Sequence, residues 1–359
     1  MTEHEAWLRL TLTPGLGPAY LLALLRQFGS PEDSLAQSEL SLVRAVPAKV
    51  AKAIKQGIDE QWLAQHLQWL EDPANSLMTL ADTDYPPQLL ESPAPPPLLF
   101  VKGKRHLLSR TAIGVVGSRH ATTSGMDNAR AFSKALSDAG ITVISGLAAG
   151  IDTTAHEGAL SGPGSTIAVV GTGLDRVYPA RNRDLAHKIA VSGAIVSEYP
   201  LGSEPLPGHF PQRNRIIAGL AKGCLVVEAT LGSGSLITAK EALEAGRDVF
   251  AIPGSIHAPQ SKGCHQLIKS GAKLVDDVAD ILSELPNLEH ANLDQSSASS
   301  RQVDVAPALP AGLDFDPVDL DTLSLRSGVT MTALIGELLQ LELSGWVESL
   351  PGGRYRRRK

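Results

Sequence analysis

The sequence predicts a doubly wound α/β domain, a parallel sheet with helices on both faces, set between two smaller helical modules. Three observations predict it. Short apolar runs recur at AIGVVG (112–117), ITVISG (141–146), TIAVVG (166–171), AIVSE (194–198), CLVVEA (224–229) and DVFAIP (248–253), apolar on both faces as buried parallel strands are. Helix-length stretches such as 124–139, 181–192 and 235–245 separate them. Glycine concentrates in the same region: 23 of the 33 fall between Gly103 and Gly271, where tight turns and close backbone approaches are needed.

The remaining elements follow in chain order. Residues 1–75 have the apolar spacing of helices, in Tyr20–Leu25 and again in Trp62–Leu70. Between the first two helices, Thr13-Pro14-Gly15-Leu16-Gly17-Pro18 has the form of the turn in SAM-like and helix-hairpin-helix modules. Six prolines from Pro86 to Pro97 predict an extended entry, free of helix, into the central domain at 76–285. Ser, Ala and Pro without an apolar period mark a linker at 286–312. Residues 313–359 then read helix, helix and two-stranded wing, the order of a winged helix. Its second helix carries Glu337 and Glu342 and no Lys or Arg, which favours a protein over a DNA groove as its contact. The tail Arg354-Tyr355-Arg356-Arg357-Arg358-Lys359 is the densest basic run in the chain, suited to nonspecific nucleic-acid contact.

Composition excludes several classes. With 38 acidic and 32 basic side chains in 359 residues, the net charge of −6 argues against a chain that coats nucleic acid by bulk charge. Cys224 and Cys264 are the only cysteines and form no CxxC pair, so neither a disulfide framework nor structural zinc is expected. An acidic start and no apolar run of about 18 residues predict a cytoplasmic protein without a membrane span.

Ligands of such sheets sit at the carboxyl ends of the strands. There the sequence places Gly117-Ser118-Arg119, Gly146–Gly150, Gly171-Thr172-Gly173 and Leu231–Ser235 with Gly234 and Ser235, each read as a Gly/Ser turn opening a helix. Four such turns along one edge suit a phosphate-bearing ligand, although each also suits packing alone. GxGxxG is absent, so NAD is not expected. Arg119 offers a planar fork for phosphate or a base, against a surface ion pair as the alternative. In PLPGHFPQRNR (205–215), two prolines and a glycine predict a rigid loop with Phe210 at its tip, followed by Arg213, Asn214 and Arg215. A ring beside arginines suits a single nucleic-acid strand; the competing role for Phe210 is plain core packing. Lys240 and Lys262 extend the basic edge or are solvated lysines. Asp152 and His156, at i and i+4, suit a proton relay, half a metal site or a helix cap. No third ligand is evident, and no cofactor or metal is expected.

Together these motifs resemble the DNA-processing protein A family, also written DprA or Smf. The resemblance rests on GVVGSR (114–119), SGLAAGIDTTAH (145–156), GTGLDRVYP (171–179), SEYPLG (197–202), FPQRNRIIAGL (210–220), GSGSLITAKEALEAGR (232–247), IPGSI (252–256) and KGCHQLIKSGA (262–272). It implies an extended Rossmann-like fold flanked by SAM-like and winged-helix domains. It further implies a dimeric, nonenzymatic protein of natural transformation that binds and protects single-stranded DNA and loads RecA recombinase onto it. By the same resemblance Arg119, Phe210, Arg213, Asn214 and Arg215 would contact DNA, while Leu243, His265, Ile268 and Leu274 would form the dimer surface. Pro207 stands where some members carry a lysine, which weakens one implied phosphate contact. A second resemblance links GSGSLITAKEAL to nucleoside-monophosphate phosphoribohydrolases and would make Glu241 a catalytic carboxylate. A third reading is a nucleotide-sensing adaptor.

Overall fold

The computed structural model describes residues 1–285 and 307–358. By compactness the chain divides between Leu285 and Pro286. In the first unit, α1 (Glu3–Thr11), α2 (Pro18–Phe28), α3 (Pro31–Ala36), α4 (Glu39–Leu42), α5 (Ala48–Gln56) and α6 (Glu60–Trp69) lead. Local chemistry sets their starts. Thr2 accepts the Glu5 N–H at α1, and Pro18 and Pro31 occupy first turns whose N–H groups have no intrahelical partner. These helices share one core with the sheet: Trp7, Leu10 and Leu24 cluster with Leu77, Phe100 and Val170. His66 seals the join. Its Nε2 accepts the Leu201 N–H at 3.0 Å and its Nδ1 faces the Trp62 carbonyl at 2.8 Å, which fits a neutral ring protonated on Nδ1.

Next come β1 (Asn75–Thr79), α7 (Pro87–Leu90), β2 (Leu98–Gly103), β3 (Ala112–Val116), α8 (Thr123–Asp138), β4 (Thr142–Ser145) and α9 (Ile151–Ala159). They are followed by β5 (Thr166–Val170), α10 (Arg183–Ser192), β6 (Ala194–Ser197), α11 (His209–Leu220), β7 (Gly223–Val226) and α12 (Gly234–Glu244). The unit ends with β8 (Asp248–Ala251), α13 (Lys262–Lys269), β9 (Lys273–Leu274) and α14 (Val278–Leu282). One nine-stranded sheet has the order β1-β2-β6-β5-β4-β3-β7-β8-β9. From β6 through β9 every pairing is parallel, and every residue of β3, β4, β5, β6 and β7 is buried, which accounts for runs apolar on both faces. The chain steps from β3 out to β6, returns through α11 and lays β7 on the other side of β3. The crevice between β3 and β7 is therefore the topological switch point.

Three expectations are corrected. The prolines of 86–97 do admit a helical turn, α7, because Pro87 stands in its first turn, where the missing N–H is no loss. Residues 75–79 and 98–103, on either side of that stretch, form antiparallel strands, β1 at the sheet edge and β2 between it and β6, that the apolar pattern did not single out. Phe210 lies in the first turn of α11 and not at a loop tip, since Pro211 is also tolerated there.

In the second unit β10 (Val318–Asp319), α15 (Leu320–Ser327), α16 (Met331–Leu343), β11 (Val347–Leu350) and β12 (Arg354–Arg357) form two helices on a three-stranded antiparallel sheet, β10-β12-β11. That is the winged-helix order, with its own core of Leu313, Val318, Leu323, Leu334, Leu338, Leu341 and Val347. Residues 286–306 of the expected linker and Lys359 of the basic tail lie outside the described residues. Leu309, placed in that linker, packs against this core.

His156 on α9 is fully buried, with Nδ1 at 2.7 Å from Thr166 Oγ1, and burial pushes its pKa down to about 3. The unfolded chain takes up this proton near 6.5, so between 6.5 and about 3 it binds more protons than the folded one and stability falls as pH falls. The expected contribution is up to about 1.4 kcal/mol per pH unit. Denaturant midpoints at several pH values in this window should show a shallower acid loss for His156→Gln than for the parent; equal slopes would contradict it.

Candidate nucleic-acid interface

At the switch point the strand ends enclose an open cleft of about 630 Å³, lined by residues of five loops and the starts of three helices. From the loop after β3 come Gly117, Ser118, Arg119 and His120; from the loop after β4, Ala148; from the start of α9, Asp152; from the loop after β7, Thr230 and Ser233; from α12, Gly234, Ser235, Ile237 and Thr238; from α11, Phe210, Arg213, Asn214 and Ile217; Tyr178, Pro205 and Pro207 complete the wall. Eight of the expected contact residues thus meet in one place.

Glu228, just past β7, steadies the first loop. Its carboxylate accepts the Thr122 N–H at 2.9 Å and the Thr122 hydroxyl at 2.6 Å, while Thr122 Oγ1 caps α8 by accepting from Gly125 N–H. Gly150 keeps the second loop close by: its φ is +76°, and a Cβ there would lie 2.3 Å from Ser118 O.

The two arginines of the cleft do different work. Arg119 is exposed, forms no ion pair among the described residues, and holds its guanidinium 5.5 Å from the centroid of the Phe210 ring. Tyr178 packs on the same ring, centroids 5.6 Å apart. This aromatic and cationic group faces open space. Arg213 is 5% exposed, and its Nη1 donates to the carbonyls of Gly146 and Val169 at the ends of β4 and β5. Gly146 leaves the guanidinium its place: a Cβ there would stand 2.3 Å from Nη1 and displace it. Burial pulls Arg213 down to about 10, so it stays protonated at neutral pH with Asp152 supporting its charge. Burial also pushes the Asp152 carboxyl up, opposed by Arg213 and by the amides of Gly146 and Ala148 at 3.1 and 3.2 Å. Asp152 and His156, read as a possible relay, are thus committed to backbone and core.

Other expected residues lie elsewhere. Arg215 is paired with Glu198 at 2.5 Å. The Gly171-Thr172-Gly173 turn opens no helix at once and packs inward: the Thr172 carbonyl accepts from Ser197 Oγ at 2.6 Å, and Gly171 O faces His209 Nδ1 at 3.0 Å. Lys240 is exposed on α12 opposite Glu244 at 3.5 Å, and the Lys262 ammonium donates to Ile256 O. Neither lysine lines the cleft, and nor does Glu241.

Sequence reasoning missed Thr230, Thr238 and the brace at Glu228. Tyr178 stood within the GTGLDRVYP motif with no role of its own. Arg181, exposed beside Arg119, Tyr178 and Phe210 in a smaller pocket of about 160 Å³, was missed too; an arginine a few residues after an aromatic at a strand end was the available signal. Among the described residues no group of His, Cys, Asp or Glu is placed to hold a metal, and no helix is long and apolar enough to cross a membrane.

Comparison with known proteins decides the family. Residues 76–286 match the model of DNA recombination-mediator protein A, and residues 294–353 match that of the DprA winged helix domain. The chain belongs to the DNA recombination-mediator protein A family. Protein Smf of Escherichia coli K12 is 45% identical over 298 residues, 81% of this chain and 80% of that protein. DNA processing protein DprA of Streptococcus pneumoniae R6 is 47% identical over 63% of this chain and 78% of its own length. The X-ray structure of DprA from S. pneumoniae superposes with a TM-score of 0.71 at 40% identity, covering 79% of this chain and 98% of that one. A Helicobacter pylori DNA processing protein A structure, described for its single-stranded DNA binding mode, gives 0.53 at 28% identity over 58% of this chain and 94% of that one.

Within this family member the two cleft arginines should separate in stability measurements. Arg213→Ala leaves Asp152 without its counter-charge and two carbonyls without a donor, an expected loss of about 3–5 kcal/mol. Exposed Arg119→Ala should change stability by less than about 0.5 kcal/mol. Urea unfolding of both variants checks this, and equal losses would refute the division of labour.

Proposed function

We propose that this chain binds single-stranded DNA in the switch-point cleft, shields it from nucleases, and delivers it to RecA recombinase during natural transformation. One observation carries the reading: an exposed, unpaired Arg119 stacked over a half-buried Phe210 at the rim of the cleft. The guanidinium suits a phosphate or a base edge, the ring suits a base face, and the amino end of α12 with Ser233 and Ser235 adds donors for a phosphate oxygen. The H. pylori relative, described as binding single-stranded DNA, supports the same reading. Gly117, Ser118, Asn214 and Gly234 would complete the inner contacts. Lys240 and Lys262 would meet the strand only outside the cleft, and Arg213 would act by positioning α11.

Binding without turnover is favoured over glycosidic cleavage because Glu241 does not line the cleft and Asp152 is held by backbone amides. The contact between copies is assigned to α12, α13 and β9. There Leu243 and Leu274 are 57% and 47% exposed beside half-buried Ile268, and His265 Nε2 is bonded to Gly254 O.

Fluorescence titration of labelled oligo-dT and of a duplex of equal length, over a salt series, tests the reading. The expected result is preference for the single strand and a slope of log affinity on log salt of about −0.7 per phosphate engaged. Phe210→Ala should weaken binding by about 1–3 kcal/mol, and Arg119→Ala should lower both affinity and salt slope. Faster recombinase filament assembly on strands already covered by single-strand-binding protein would be the loading readout. Equal affinity for duplex, or release of adenine from AMP dependent on Glu241, would overturn the proposal.

A further inference from the structure

Beside the cleft lies a smaller chamber of about 160 Å³, and Arg119, Tyr178 and Phe210 line both. The two differ in chemistry. Around the cleft stand the hydroxyls of Ser118, Ser233, Ser235 and Thr238 and the amino end of α12, all donors for phosphate oxygen. No serine or threonine lines the chamber. It adds Gly146, Ala149, Pro179 and Arg181, which are small or apolar side chains and one cation. Phe210 and the 48% exposed Tyr178 give it ring surface.

The chamber is fixed from behind. Arg181 sits in a short helical turn, Ala180–Asn182, and Asn182 is buried, 5% exposed. Asn182 Nδ2 donates to Leu147 O at 2.9 Å and to Thr153 Oγ1 at 3.0 Å, which fastens the Arg181 turn to the loop after β4 and to α9. Leu147 holds a φ of +57°, uncommon for a residue with a Cβ, and the buried carboxamide on its carbonyl helps to keep it there. Both walls are thus set before any ligand arrives.

Size and lining name the occupant. The volume holds one planar heterocycle and no base pair, and rings with alanine and proline suit the face of a nucleobase. A phosphate would find a single cation there and no hydroxyl side chain other than the Tyr178 phenol. Arg181 is exposed and forms no ion pair among the described residues. Each nucleoside within a strand carries a phosphate on either side. With its base in the chamber, one phosphate lies toward the serines of the cleft and the other toward Arg181.

We propose that the chamber takes one unpaired nucleobase of the bound strand, with Arg181 holding the phosphate beyond it. This rests on the reading of the cleft as a single-strand site and adds Arg181 and the Ala149 wall to it.

Titration of the full-length chain with labelled oligo-dT, and with an abasic strand of equal length, tests it. Arg181→Ala, an exposed substitution, should weaken oligo-dT binding several-fold and make its salt slope shallower by about 0.7, the share of one phosphate. Ala149→Leu fills the chamber; it should weaken oligo-dT several-fold and leave the abasic strand unchanged. An unaltered slope for Arg181→Ala, or equal weakening of both strands by Ala149→Leu, overturns the chamber and leaves the cleft reading in place. A parent chain that binds duplex as tightly as oligo-dT overturns the cleft reading, and the chamber with it.

Discussion

The cleft depends on a buried cation. Helix α11 crosses the carboxyl ends of β5, β4 and β3 on its way from β6 to β7, and nothing in its apolar face alone fixes how far it slides along them. Arg213 does so by placing its guanidinium among the carbonyls of Gly146 and Val169, on two neighbouring strands, inside a shell with almost no solvent. Desolvating that charge is costly, and three features offset the cost: the two carbonyls, the facing Asp152, and the glycine at 146 that lets the group approach. Asp152 is in turn fixed by two amides of the loop it follows, so strand ends, loop and crossing helix are locked together. With α11 held this way, Phe210, one turn before Arg213, and Asn214 beside it come to the switch point.

Much of this was legible in the sequence, and the division is physical. Parallel strands announce themselves because burial on both faces leaves an uninterrupted apolar run, and the Gly/Ser turns after them mark where a backbone must bend sharply. The antiparallel strands β1 and β2 were missed because their apolar residues abut a proline-rich stretch whose own pattern reads as extended chain. Site residues were found where the chemistry is local, as at Gly117-Ser118-Arg119. They were misjudged where a residue's partner lies far along the chain. Arg119, Arg213 and Arg215 are equivalent by type, yet their neighbours at Phe210, Gly146 and Glu198 make one available, one a strut and one half of an ion pair. Glu228 bracing Thr122 across 106 residues leaves no mark in spacing at all. The turn at 171–173 has the same composition as its neighbours, but the chain that follows it folds back over it.

The same distinction reinterprets net charge. A count of −6 says little about an anionic partner, because the counted charges are unequal in reach. Arg215 and Glu198 neutralise one another in a partly buried pair, and Arg9 is shared by Glu5 and Glu60. Exposed pairs such as Lys240 with Glu244 are weak and open readily in solvent. What matters to an approaching phosphate is the set of cations without a standing partner near one surface, and at the switch point that set is Arg119 with Arg181 close by, over the protonated Arg213.

For the proposed DNA binding, geometry favours one strand over two. The Phe210 ring is half-buried between Arg119 and Tyr178, recessed in a cleft of about 630 Å³. In a duplex both faces of every base are covered by its neighbours, and extruding one costs a few kcal/mol. A single strand has bases free to turn into a recess while its phosphates stay at the rim. An interface built from one recessed ring, a few amides and few free cations gains little from the dense charge of a duplex and much from an unstacked base. The scarcity of aromatic residues has a matching consequence: one stacking ring accepts any base, so recognition should follow strandedness and not sequence.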